Sequence, residues 1–218
     1  MTRHNAHNRS GQTSLDDLRW PTDRSRDWVR RFLNSAAADP NIMAVIAIGS
    51  AIRPNVPSAD LDVIVVCGNS GVLDLKPPLE IDLRAYSAAD AAAGIGSAND
   101  LLGAAVKFGK ILFQRDDYWD DTVDLWRDRL PLPSAELARQ RAANAHRRLI
   151  GVLESGDDDA AHDQAISYMT HLARAELLDR FVYPATRPEL PSQLRTVGCH
   201  QLADQFDALL QVNHPAQK

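Results

Sequence analysis

The chain has 218 residues, 44% hydrophobic and 24% charged, with a formal net charge of −5. This is the composition of an ordinary soluble globular protein, long enough for one large domain or two small ones with a real core. The acidic balance argues against a broad nucleic-acid surface, whose footprint is a basic excess, and suits a cationic small substrate or a metal-bridged anion better.

Polar "MTRHNAHNRSGQTS" lacks the apolar middle of a signal peptide and reads as a disordered tail over 1–14. From Thr22 to about Ala38 an amphipathic helix is predicted, with Trp28, Phe32 and Leu33 on one stripe and arginines on the other. Asp39-Pro40 ends it, because proline disfavours helical geometry in the residue before it. "IMAVIAIGS" follows as a strand that is apolar on both faces and therefore central in a sheet. "LDVIVVCG" is a second such strand beyond Asp62.

Lys76-Pro77-Pro78 breaks the chain before "LEIDLRAY", where apolar and charged residues alternate. Leu79, Ile81 and Leu83 point one way and Glu80, Asp82 and Arg84 the other, which makes a half-buried strand. Asn99-Asp100 caps a helix predicted over "LLGAAVKFGKILF", and Asp116-Asp117 starts another at "YWDDTVDLW". From "PLPSAELARQRA", with Ser134 as N-cap, only helices are expected. A long one spans about Ala161 to Phe181, with Ile166, Met169, Ala173, Leu177 and Phe181 at spacings of three or four. "SGDDDAAHD" reads as a solvated loop, "YPATRPELPSQ" as a proline-rich connection and "QLADQFDALLQ" as the final helix. The expected fold is an α/β (α+β) domain with a small mixed sheet over 15–130, followed by an all-α helical bundle over 131–218.

Two features carry chemistry. Asp60 and Asp62 lie on one face of a strand, about 6–7 Å apart at Cα. Two carboxylates at that spacing converge on divalent cations, and Mg²⁺ prefers such oxygen ligands together with substrate phosphates. Asp82 supplies a third carboxylate if its strand pairs beside "DLDVIVV". A trio of this kind suits two metal ions about 4 Å apart, one at the attacking oxygen and one at the leaving phosphate. The loop before the acids is the other feature. Gly49 permits a sharp turn and close approach, Ser50 offers a hydroxyl and an N–H, and Arg53 can neutralise phosphate oxygens.

"IGSAIRPNVPSADLDVIVV" resembles the signature of the DNA polymerase β-like nucleotidyltransferase superfamily, and "LEIDLRAY" resembles its third-acid strand. The resemblance implies metal-dependent transfer of a nucleoside monophosphate from a nucleoside triphosphate, ATP being the expected one, with two Mg²⁺ ions and release of pyrophosphate. Gly49 and Ser50 match the phosphate-binding pair and Arg53 a basic position of that loop. Asp60 and Asp62 match the metal ligands, and Asp82 the third acid, which serves members as metal ligand, general base or both. This chain departs from the pattern at Ala59, where many members have Ser or Asp, and at Pro54 and Pro57 in a loop that is often glycine-rich. The segment "ARAELLDRFVYPATRPELPSQL" is similar to aminoglycoside and related small-molecule nucleotidyltransferases, which implies a small hydroxylated acceptor.

Rival readings are transfer to tRNA or to a protein of toxin–antitoxin type, hinted at by Arg147-Arg148, and a catalytically silent nucleotide-binding module. Lys107 is a further candidate for reaching the triphosphate. Arg84 shares Asp82's face and can pair with it or with phosphate. Glu176 and His171, on the long helix, are alternative general bases. Trp28, Trp119 and Trp126 are expected in packing, and Cys67 as a small buried apolar residue. Having only Cys67 and Cys199, with no metal-ligand spacing or disulfide framework, suits a reducing, cytoplasmic setting. No stretch approaches the roughly 18 consecutive apolar residues of a membrane span.

Overall fold

The computed structural model describes residues 13–53, 59–69 and 76–211. Helix α1 (Asp23–Ala38) starts at Thr22, whose side chain accepts from the Ser25 N–H. Its fully buried stripe is Ser25, Val29, Phe32 and Ala36, so the predicted Trp28 and Leu33 lie on its half-buried flanks. Four strands follow: β1 (Ile42–Ile48), β2 (Leu61–Cys67), β3 (Ile81–Ser87) and β4 (Lys110–Gln114). They form one mixed sheet in the order β3-β2-β1-β4, with β2 parallel to β3 and β1 antiparallel to both β2 and β4.

The unbroken hydrophobicity of β1 and β2 has a direct cause, because both faces of the sheet are covered. On one face Val45, Ala47, Val63 and Val65 pack with Val29, Phe32 and Ala36 of α1. On the other, Ala44, Ile46, Ile64 and Val66 meet α2 (Ala88–Gly96), α3 (Asp100–Phe108) and α4 (Tyr118–Trp126), through Ile95, Leu102 and Trp119. Ser87 caps α2 by accepting from the Asp90 N–H, and Asn99 caps α3.

Several expectations are corrected. The helix predicted through Phe113 stops at Phe108, and "KILFQ" becomes β4. At Gly109 a Cβ would sit 2.4 Å from the Ala105 carbonyl oxygen and 2.6 Å from Ile46 Cγ2, so only glycine lets the chain turn this close to β1. The apolar run suits a helix or a strand equally, and the open edge of β1 decides between them. Leu79, expected inside, is fully exposed because the strand begins only at Ile81. Of the expected tail, 1–12 lies outside the described residues, but Thr13 donates its N–H to Ile111 O at 2.8 Å and Ser14 caps a short turn at Leu15–Asp17.

The chain divides into two units, 1–131 and 132–218. In the second, α5 (Ala135–Ser155) has Ser134 as N-cap and is followed by α6 (Asp158–Asp179), α7 (Leu190–Thr196) and α8 (His200–Gln211). Gly156, at φ +75°, ends α5, and Asp157 caps α6 by accepting from Ala160 N–H. The acidic run read as a loop is therefore the first turn of a helix, where carboxylates favour the helix dipole. The proline-rich connection contains a short turn at Arg187–Glu189 and runs straight into α7. Phe181, expected on the buried stripe, follows the end of α6 at φ +59° and is 85% exposed. Ala173, Leu177, Leu190, Leu194, Ala203 and Phe206 form the core of this unit. The chain is thus a mixed four-stranded sheet with helices followed by a helical region. Among the described residues no helix is long and apolar enough to cross a membrane.

Candidate active site

The site is built where β1 ends and β2 begins. Ile48 lies opposite Asp62 in the antiparallel ladder. The next residue, Gly49, turns the chain at φ +82°, in the left-handed region that favours glycine. A Cβ there would lie only 2.5 Å from Asp62 Oδ2, so the absence of a side chain lets the main chain close over the carboxylate. A tight turn follows, with the Arg53 N–H donating to Ser50 O at 3.0 Å, and it is anchored by the buried side chains of Ala51 and Ile52. Residues 54–58, which include Pro54, Pro57 and Ser58, lie outside the described residues.

At the start of β2, Leu61 donates its N–H to Glu80 O at 2.8 Å, which sets the parallel register with β3. In that register Asp62 stands directly beside Asp82. Registered residues of a sheet share a face, so both carboxylates lie on the side of Ile64 and Val66, at the rim of the layer under α2–α4. Asp62 is half-buried, while Asp60 and Asp82 are exposed. Burial, then the charge of Asp60, then that of Asp82, pushes the Asp62 carboxyl up from 3.8 to about 6, with Arg84 partly offsetting the rise. Both predicted partners are therefore close enough to act on Asp62 electrostatically.

One cation among them is Arg84. Its Nη2 donates to Asp82 Oδ2 at 2.9 Å, and this bond holds the guanidinium above its ordinary proton affinity. Among the described residues, no group of three or more His, Cys, Asp or Glu side chains is drawn together tightly enough to hold a metal ion as placed.

The remaining candidates fall in different places. The Arg53 guanidinium lies over the Phe108 ring, 5.4 Å from its centre, which fixes it at the C-terminal end of α3. Lys107, one residue earlier on that helix, is exposed. Phe108 was not legible as a site residue, because its role depends on α3 ending beside the loop after β1. Glu176, in the second unit, is bonded to Arg180 Nη1 at 2.5 Å, and its Oε2 lies 4.0 Å from Cys199 Sγ. His171 is half-buried on the same helix, α6. Trp119 is buried in the core, Trp28 stacks on Phe32 at 5.3 Å and Cys67 is buried, as expected.

No protein-family model matches this chain, and no curated protein does. Among solved structures it is similar to a nucleotidyltransferase-like protein from Exiguobacterium sibiricum 255-15, at 19% identity and a TM-score of 0.41. The match covers 86% of this chain and 73% of that one. At that level of likeness the function of this chain has to be read from its own residues.

Proposed function

We propose that this chain is a metal-dependent nucleotidyltransferase that moves a nucleoside monophosphate from a nucleoside triphosphate, ATP first, to a hydroxyl of a small aminoglycoside-like acceptor. The observation that carries this reading is Asp62, registered beside Asp82, raised in proton affinity by burial and then by Asp60 and Asp82, and closed over by the Gly49 main chain. A surplus of carboxylate oxygens in one place is what a hard divalent cation neutralises, so the donor set fits Mg²⁺. Asp60, Asp62 and Asp82 would hold two such ions, which supply charge neutralisation at the reacting phosphate and at the entering oxygen.

The other roles belong to the chain itself. Gly49 and Ser50 present main-chain and hydroxyl groups to the β and γ phosphates, and Arg53, steadied on Phe108, adds a fixed positive charge. Lys107 is a second cation for the same phosphates. Asp82 orients the acceptor hydroxyl and takes its proton. The acceptor oxygen bonds to the α phosphorus as the bond from that phosphorus to the bridging oxygen breaks, and pyrophosphate leaves with the electron pair. Alignment and charge neutralisation supply most of the rate in transfers of this kind.

The test is a pyrophosphate-release screen with Mg²⁺ and each nucleoside triphosphate against aminoglycosides, tRNA and lysate proteins. Asp60→Asn is expected to lower the rate on the true acceptor by at least about 10²-fold, the usual effect of removing one electrostatic stabiliser, while circular dichroism stays unchanged. Near-normal activity in that variant would overturn the assignment. Release with tRNA or protein alone would move the acceptor class, and nucleotide binding without release from any acceptor would mark a silent module.

A further inference from the structure

Arg84 lies two residues beyond Asp82 on the same face of β3, and its register partner on β2 is the buried, apolar Ile64. Its side chain is directed back to Asp82, with Nη2 2.9 Å from Oδ2, and its charge also reaches Asp62. The guanidinium therefore occupies the acid that a cation would need to join to Asp60 and Asp62. We propose that Arg84 is a built-in competitor of the metal, holding Asp82 in the metal-free chain so that cation loading requires this ion pair to open. The proposal rests on the metal-site reading above and makes Arg84 a positioning residue, acting through Asp82. With the pair closed, cation affinity in the absence of nucleotide is held down.

Both partners are about half exposed, at 56% for Arg84 and 47% for Asp82, so the competition is modest. Titration of the full chain with Mn²⁺, followed by electron paramagnetic resonance at neutral pH without nucleotide, measures it. Arg84→Gln is expected to bind Mn²⁺ about two- to fivefold more tightly than the unmodified chain, the fold-change that an exposed ion pair corresponds to. The gain fades in high salt, and Arg84→Lys falls between the two. Arg30→Gln removes an equally exposed arginine on α1, paired with Asp27, and is expected to leave Mn²⁺ affinity unchanged. Asp62→Asn weakens binding whatever stands at position 84.

Equal or weaker Mn²⁺ binding in Arg84→Gln, with Asp62→Asn still weakening it, overturns the role of Arg84 and leaves the metal site standing. An equal gain in Arg30→Gln also overturns it, by reducing it to net charge. Binding that is indifferent to Asp62 overturns the metal site itself, and the competitor with it.

Discussion

Replacing Asp62 by Asn removes a carboxyl that the fold holds at about 6 instead of 3.8. The folded chain keeps this proton more tightly than the unfolded chain does. The associated stability is therefore fully present below about pH 4 and is lost as pH rises through about 6. Just over two pH units correspond to about 3 kcal/mol, and screening of a half-exposed group brings this to about 1–2 kcal/mol. Relative to the unmodified chain, Asp62→Asn is thus expected to gain about 1–2 kcal/mol of stability between pH 4 and pH 7. Urea unfolding in EDTA, followed by tryptophan fluorescence, measures the difference. All four tryptophans, Trp20, Trp28, Trp119 and Trp126, lie in the first unit, so the signal reports on the unit that contains Asp62. A stability difference that stays flat or shrinks over this range would refute the electrostatic account of the site.

Mg²⁺ at neutral pH is expected to raise the melting temperature of the unmodified chain by binding its folded form, and to leave Asp62→Asn almost unmoved; equal shifts would argue against a cation at Asp62. Gly49→Ala places a Cβ against Asp62 Oδ2 at φ +82° and is expected to cost about 1–3 kcal/mol together with most of the activity; unchanged urea midpoints would contradict the close approach. Phe108→Leu removes the ring under Arg53 and is expected to raise KM for the nucleotide about two- to fivefold with kcat nearly unchanged, as steady-state kinetics would show. Arg115 donates to the carbonyls of Ile42, Ala37 and Asp39, tying the end of α1 to β1. Arg115→Ala is expected to cost about 2–3 kcal/mol by stranding them, and urea midpoints restored fully by lysine would count against the fork geometry.

Several parts of this protein were legible without any coordinates. The two unbroken apolar strands, the helix starts at Thr22, Asn99 and Ser134, and the shared face of Asp82 and Arg84 all follow from local pattern. Each depends on a period of two or 3.6 residues, or on a side chain that caps its own neighbours. Where a segment satisfied two patterns at once, local reading failed. "KILFQ" is apolar enough for a helix and became β4 because the edge of β1 was open to it. Phe181 keeps the helical spacing yet turns outward, because α6 ends at Asp179.

The amino-acid order alone determined which residues are proposed to carry the chemistry: a glycine at a strand end, then two acids one residue apart, then a third acid on an alternating strand. Tertiary structure decided which of them meet. Asp62 stands beside Asp82 only because β2 and β3 pair in parallel in this register, and a slip by one residue would send the two carboxylates to opposite faces. Likewise the Arg84–Asp82 ion pair and the seat of Arg53 on Phe108 come from side-chain direction and from the point where α3 ends. Pairing between strands joins residues far apart in the chain, and no local periodicity encodes it.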